Sequence, residues 1–191
     1  WANQFDNVAN AKFQQDTTGP EIWEQTKGLV SGFVCSAGTG GTLGGVARAL
    51  KGFSSNITIA VADPTGSALY DYYTNGTLNL EGSSITEGIG NSRITTNLQG
   101  APIDMAFQIE DQESIPLVYQ MIQEEGLCLG GSTGVNVAGA IRLAKELGPG
   151  NTIVTILCDS GLIYKARLFN KNFLAKHKIQ LPEWLDMENL S

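Results

Sequence analysis

Three glycines in four positions, Gly38, Gly40 and Gly41, stand just beyond the apolar run Leu29–Ser36, interleaved with Thr39 and followed by Thr42. An apolar run this short predicts a buried strand. The segment Leu43–Leu50 behind the glycines is rich in small residues and predicts a helix. A backbone with so many glycines can turn its amides inward, because no Cβ blocks an approaching ligand. The free N–H groups and the dipole of the following helix then point at the same spot. The loop Gly38–Thr42 is therefore predicted to cradle a phosphate, with the hydroxyls of Thr39 and Thr42 as further donors. A tight strand-to-helix turn is the competing explanation, but such a turn rarely needs this many glycines flanked by threonines. Gly-Lys-Ser/Thr does not follow the glycines, which excludes a P-loop.

The same alternation continues along the chain. Thr18-Gly19-Pro20-Glu21 starts a helix, with proline in the first turn and an acid near the positive end of the dipole, and the helix is expected to run to Lys27. Ile57–Ala62 reads as a second buried strand and Thr152–Cys158 as a third, with Leu127–Leu129 as a short one. Gln112–Glu125 and Val135–Leu147 have apolar residues at amphipathic-helix spacing, the second stopped by Gly148-Pro149-Gly150. Tyr70–Ala106 is rich in glycine and asparagine and is expected to be a long excursion with little regular structure. Strand, loop and helix in alternation predict an α/β fold, a mostly parallel sheet flanked by helices. Ligands on such sheets bind beyond the carboxyl ends of the strands.

Composition narrows the partners. The net charge is −7, which argues against nucleic acid or an anionic membrane surface. No apolar stretch reaches the roughly 18 residues that a membrane span needs. Cys35, Cys128 and Cys158 lie in apolar runs without CxxC spacing, and are expected to be buried thiols in a reducing, cytoplasmic setting. The single histidine, His177, leaves a Ser-His-Asp triad or a histidine-rich metal site without support. Asn56, Asn75 and Asn189 head Asn-x-Ser/Thr tripeptides and are expected to be unmodified. The opening residues, Trp1–Asn7, read like the interior of a protein, so an N-terminal portion is expected to have been removed or to belong to another chain.

Two further loops carry candidate residues. In Gly130-Gly131-Ser132-Thr133-Gly134, Ser132 or Thr133 is a natural helix N-cap; a neutral hydroxyl there could instead hydrogen-bond a ring nitrogen. Asp159-Ser160-Gly161 could do the same from a neighbouring strand. Glu87-Gly88-Ile89-Gly90-Asn91 is either a surface turn or a flexible loop that closes over substrate. A dinucleotide site competes with these readings: Gly38, Gly40 and Gly44 open a helix, and Asp63 ends the next strand, where a ribose-binding acid belongs. Against it, Leu43 fills the place of the third glycine or alanine.

Taken in order, these segments resemble the cysteine synthase and cystathionine β-synthase family, pyridoxal-phosphate enzymes of the tryptophan-synthase-β fold (fold type II). Cys35–Leu43 resembles the family's phosphate loop. Thr17–Trp23 is similar to a helix start typical of cysteine synthases, whereas Asp63–Ser67 is closer to the cystathionine β-synthase branch. The resemblance implies that Gly38, Thr39, Gly40, Gly41 and Thr42 hold the phosphate of pyridoxal 5'-phosphate. It gives Ser132 the pyridine nitrogen and places Asp159 beside the ring. Gln4, in the segment Gln4–Asn7, and Gly88 are implied to face the substrate. The implied activity is β-replacement on O-acetylserine or serine, giving cysteine or a related thioether. The implied assembly is a homodimer, with the C-terminal peptide of serine acetyltransferase as a further partner.

Two family features are missing, and one is the Thr/Ser-Gly-Asn-Thr substrate loop, which Thr74-Asn75-Gly76-Thr77 matches only superficially. The family's Schiff-base lysine lies in a Ser-x-Lys-Asp/Asn context, and none of Lys12, Lys27, Lys51, Lys145, Lys165, Lys171, Lys176 and Lys178 does. Residues 1–191 are therefore expected to be the cofactor-binding large domain without that lysine and without the small domain, and to be inactive alone.

Overall fold

The computed structural model describes residues 1–182 and Trp184; the tripeptide at Asn189 lies outside them. Four parallel strands form one sheet in the order β3-β2-β1-β4. They are β1 (Val30–Cys35), β2 (Thr58–Pro64), β3 (Met105–Ile109) and β4 (Thr152–Val154). The helices are α1 (Ala9–Asp16), α2 (Thr18–Gln25), α3 (Gly41–Phe53), α4 (Leu69–Asn75), α5 (Asp111–Glu125), α6 (Gly131–Leu147) and α7 (Lys171–Lys176). A 3-10 helix spans Gly161–Tyr164.

Successive strand residues point to opposite faces, and both faces are covered. Phe33 and Cys35 of β1, with Ile59 and Val61 of β2, pack against Leu43, Val46 and Leu50 of α3 and Ile22 of α2. Val34 of β1, with Ala60 and Ala62 of β2, packs against Val135, Ala138 and Leu143 of α6. This is why β1 and β2 read as continuous apolar runs rather than as alternating ones. Leu43 and Leu50 have no exposed surface, and truncating either to alanine removes about 2–5 kcal/mol. A third cluster, built on Ile115, Val118 and Tyr119 of α5, is closed by Leu168, Leu174 and Ile179 of the C-terminal segment. There the Tyr119 hydroxyl donates to the Leu168 carbonyl at 2.8 Å.

Several expectations need correction. α1 carries one buried residue, Ala11, and its polar sequence gave no apolar periodicity to read. The excursion after Tyr70 opens with α4 and ends in β3, leaving only residues 76–104 irregular. Leu127–Leu129 makes no strand, only one antiparallel bridge from Leu129 to Ser160. β4 stops at Val154 instead of Cys158. Cys35 is buried, but Cys128 and Cys158 are exposed; all three are free. Among the described residues no helix is long and apolar enough to cross a membrane.

Asp63, next to last in β2, has no exposed surface. One carboxylate oxygen accepts the Tyr70 N–H at 2.8 Å. The other oxygen has no partner. Burial outweighs the hydrogen bonds from Ser67 and from the Tyr70 and Leu69 amides, and pushes the carboxyl up from 3.8 to about 6. A folded-state value above the unfolded one means the folded chain binds this proton more tightly, so the group's contribution falls as pH rises from about 4 to above 6. Asp63→Asn is therefore expected to remove up to about 3 kcal/mol of stability loss between those limits. Urea unfolding of both proteins across that range checks it, and parallel pH curves would refute it.

Candidate functional site

The loops at the carboxyl ends of β1 and β4 meet the N-termini of α3 and α6. Gly40, with φ +79°, caps α3 in the left-handed region, which a side chain rarely adopts. A Cβ on Gly40 would run into Leu98, and one on Gly38 into the Gly88 carbonyl. The turn thus needs glycine at both positions, for conformation at one and for close approach at the other.

What orients this loop is the bonding of its carbonyls. The Ala37 carbonyl accepts the Gly90 N–H at 2.9 Å and the Asn91 side-chain amide at 3.4 Å. The Asn91 amide also donates to the Gly38 carbonyl. The Thr95 hydroxyl donates to the Thr39 carbonyl at 2.8 Å. Three successive carbonyls are thereby held by the irregular segment after α4. Among the described residues the N–H groups of Thr42 and Leu43, in the first turn of α3, have no acceptor. The Thr39 hydroxyl accepts from the Asn10 amide at 2.9 Å and from the Gly41 N–H at 3.2 Å, which leaves its own proton free to donate. No acidic residue lies in the first turn of α3. Unspent donors beside a positive helix end make an anion site.

The start of α6 is different. Gly130 is its N-cap and no side chain caps it, so neither Ser132 nor Thr133 plays the capping role their types suggest. Ser132 is buried within the first turn, its hydroxyl beside the Cys158 thiol. Asp159 packs its carboxylate against Gly130, where a Cβ would meet Oδ1. Its Oδ2 accepts the Tyr164 hydroxyl at 2.6 Å, and its Oδ1, though buried, has no partner. The carboxylate in turn pushes the Tyr164 hydroxyl up to about 12. A carboxylate at this helix end repels a second anion, so of the two glycine loops only Gly38–Thr42 suits a phosphate. The Ser160 hydroxyl accepts the Leu162 N–H at 3.3 Å and is thus used to start the 3-10 helix.

Gln4 is exposed, and its carbonyl accepts the side-chain amides of Asn10 at 3.0 Å and Asn97 at 3.1 Å. Asn10 also bonds Thr39, so one side chain separates Gln4 from the glycine loop. The Gln4 segment is held by Asp6, which the Arg93 guanidinium and the Thr96 amide bring down to about 2. Gly88 lies against Gly38, and Glu87 pairs with Arg167 of the C-terminal segment. Nothing in the sequence marked Asn10, Thr95 and Asn97, and Asn91 stood out only as the last residue of the run from Glu87, with no partner assigned. Asn136 was missed too: it is fully buried one turn beyond Ser132.

The dinucleotide alternative fares poorly. The strand order agrees with it. Asp63, however, is fully buried and bonded to Tyr70, out of reach of a ribose, and Leu43 is core.

The family model described as "Pyridoxal-phosphate dependent enzyme" matches residues 1–159. "Cysteine synthase 1" of Emericella nidulans is 48% identical over 97% of the chain and 52% of its own length. "Cysteine synthase 1" of Neurospora crassa is 46% identical, over 97% of the chain and 51% of its own length. The crystal structure of an O-acetylserine dependent cystathionine beta-synthase from Helicobacter pylori superposes with a TM-score of 0.79 at 30% identity, covering 87% of this chain and 52% of that one. The chain thus spans about half the length of the relatives it matches. With the match running through both glycine loops and the β4 exit, the chain belongs to the pyridoxal-phosphate dependent enzyme family.

Proposed function

We propose that residues 1–191 form the cofactor-binding large domain of a cysteine synthase-like enzyme, which exchanges the β-substituent of O-acetylserine or serine for a sulfur nucleophile. The observation that carries this reading is the glycine loop, whose Gly38 and Thr39 carbonyls are bonded outward while the Thr42 and Leu43 amides stay unspent. The names of the similar proteins supply the substrate class.

The residues present fit pyridoxal 5'-phosphate. Gly38–Thr42 would hold the phosphate through the Thr42 and Leu43 amides and the Thr39 and Thr42 hydroxyls. Ser132, a buried neutral hydroxyl, would face the pyridine nitrogen, and Asp159 would flank the ring. When bound, the cofactor supplies an electron sink that labilises the amino acid's Cα proton and β-leaving group. Around it the chain's own groups bind and orient. A neutral hydroxyl at Ser132 leaves the ring nitrogen without a proton donor as strong as a carboxylic acid, which suits elimination. Gly88, held against Gly38, and the Gln4 segment would confine the substrate at the loop. By the same resemblance we propose a cytoplasmic homodimer whose site admits the C-terminal peptide of serine acetyltransferase. Turnover needs a Schiff-base lysine, and none of the eight lysines stands in the Ser-x-Lys-Asp/Asn context of the family.

Two outcomes test this reading. Calorimetric titration is expected to show pyridoxal 5'-phosphate binding at least about tenfold more tightly than pyridoxal, the loss of about 1.4 kcal/mol reflecting the phosphate, with NAD not binding. Equal affinity for pyridoxal would remove the phosphate cradle. Gly38→Ala, which collides with the Gly88 carbonyl, is expected to weaken that binding by a similar factor. Second, the chain alone, supplied with the cofactor, O-acetylserine and sulfide, is expected to form no cysteine above the blank in an amino-acid assay. Catalytic cysteine formation would overturn the placement of the lysine.

A further inference from the structure

Beyond the glycine loop, the structure assigns a role to a residue outside it: we propose that Asn136 is a positioning residue that holds open the crevice between β1 and β4 and sets the spacing between the phosphate loop and the ring-facing loop. The proposal rests on the cofactor reading above.

Strand order turns at β1. Successive strands run from β1 through β2 to β3 on one side, and β4 then returns to the other side of β1. In open α/β sheets the ligand crevice lies at such a switch point, outside the carboxyl ends of the strands. The β1–β4 ladder ends with Phe33 opposite Val154. Continued in register, the parallel pattern would give the Val34 carbonyl a backbone donor from Ile156 and join the Ser36 N–H to the Ile156 carbonyl. Neither bond forms. The Thr155 hydroxyl donates to the Val34 carbonyl at 2.6 Å in place of a backbone amide. The Ser36 N–H donates to Asn136 Oδ1 at 2.6 Å, and Asn136 Nδ2 donates to the Ile156 carbonyl at 2.7 Å.

The Asn136 side chain is thus a peptide-like unit inserted where a ladder bond would run. Both strand ends stay satisfied while they are held further apart than direct pairing allows. The residue has no exposed surface, and losing it leaves the partly buried Ser36 N–H and Ile156 carbonyl without partners. One of those strand ends leads through Ala37 into Gly38–Thr42. The other leads to Cys158, whose sulfur lies 3.6 Å from Asn136 Nδ2, and on to Asp159. Ser132, four residues earlier on α6, shares the face of the helix that looks into this gap. A ligand that spans from phosphate loop to ring-facing loop feels the gap width, whereas an ion held by the phosphate loop alone does not.

The test compares two ligands on the full chain. Asn136→Leu removes both bonds at similar volume. Asn136→Ser, too short to span the gap, serves if the leucine variant does not fold. In either variant the affinity for pyridoxal 5'-phosphate is expected to fall about tenfold or more, while the affinity for inorganic phosphate changes less than about threefold. The induced circular dichroism of the bound cofactor is expected to change as the ring loses its seat. Unchanged cofactor affinity and dichroism in a folded variant would overturn the proposal. So would a parallel fall of both affinities, which marks a purely structural role. Failure of the unsubstituted chain to bind the cofactor at all would instead overturn the functional reading, and the positioning role with it.

Discussion

Strand β1 has backbone partners on both sides, and the places where those partnerships stop shape everything at the site. Toward β2 the ladder runs to Cys35 opposite Val61. Toward β4 it ends two residues earlier, at Phe33 opposite Val154. The asymmetry leaves Val34 and Ser36 with ladder groups facing β4 and no backbone to meet them. Buried backbone groups must be paired, so the Thr155 hydroxyl and the Asn136 amide take them. The chain leaves β1 already turned toward the crevice, and Gly38 and Gly40 can bend it there because nothing larger fits at either place.

The sheet was legible where burial on both faces leaves an uninterrupted apolar run. β1 and β2 are such strands, and α3 and α6 between them carry the matching apolar faces. β3 was hidden because four of its five residues are only half-buried and it follows a long irregular stretch. α1 was hidden because a helix burying one alanine shows no period. The opposite error at β4 has the same root. Apolarity reports removal from water, not ladder bonding, and the run from Ile153 to Cys158 outlasts the ladder while Leu157 lies exposed.

The site was legible to the same degree. Glycine count and helix-start grammar picked out the loop proposed for the phosphate and both neighbouring loops, because glycine is informative wherever a backbone approaches another closely. The asparagines that set the site's geometry were not. Asn91, Asn97 and Asn136 each bond backbone groups far from themselves in sequence, and Asn10 joins the Gln4 carbonyl to the Thr39 hydroxyl. A single amide side chain has no period and no local partner, so nothing near it in sequence announces what it holds. Ser132 misled for a related reason, since a serine at a helix start reads first as a cap. Here the helix begins two residues sooner than that cap would have it, and the hydroxyl lies beside the Cys158 thiol instead.

In a chain of net charge −7, the phosphate site proposed at the glycine loop sets an electrostatic question. No lysine or arginine is bonded to the glycine loop among the described residues; the answer lies in dipoles fixed in place. Each amide or hydroxyl bond to a charged oxygen contributes about 1.5–3 kcal/mol once its partner is desolvated, and the helix end adds about 0.3–1 kcal/mol. Dipoles contribute this much only if they need no reorientation when the anion arrives. That condition is met by outward ties: Asn91 and Thr95 hold the carbonyls of Gly38 and Thr39, and Asn10 holds the Thr39 hydroxyl. It also explains why the acid of the site stands at α6 rather than α3. Asp159 stands beside the N-terminus of α6 and leaves that of α3 free, so in the proposed site the carboxylate and the phosphate would take separate dipoles instead of sharing one.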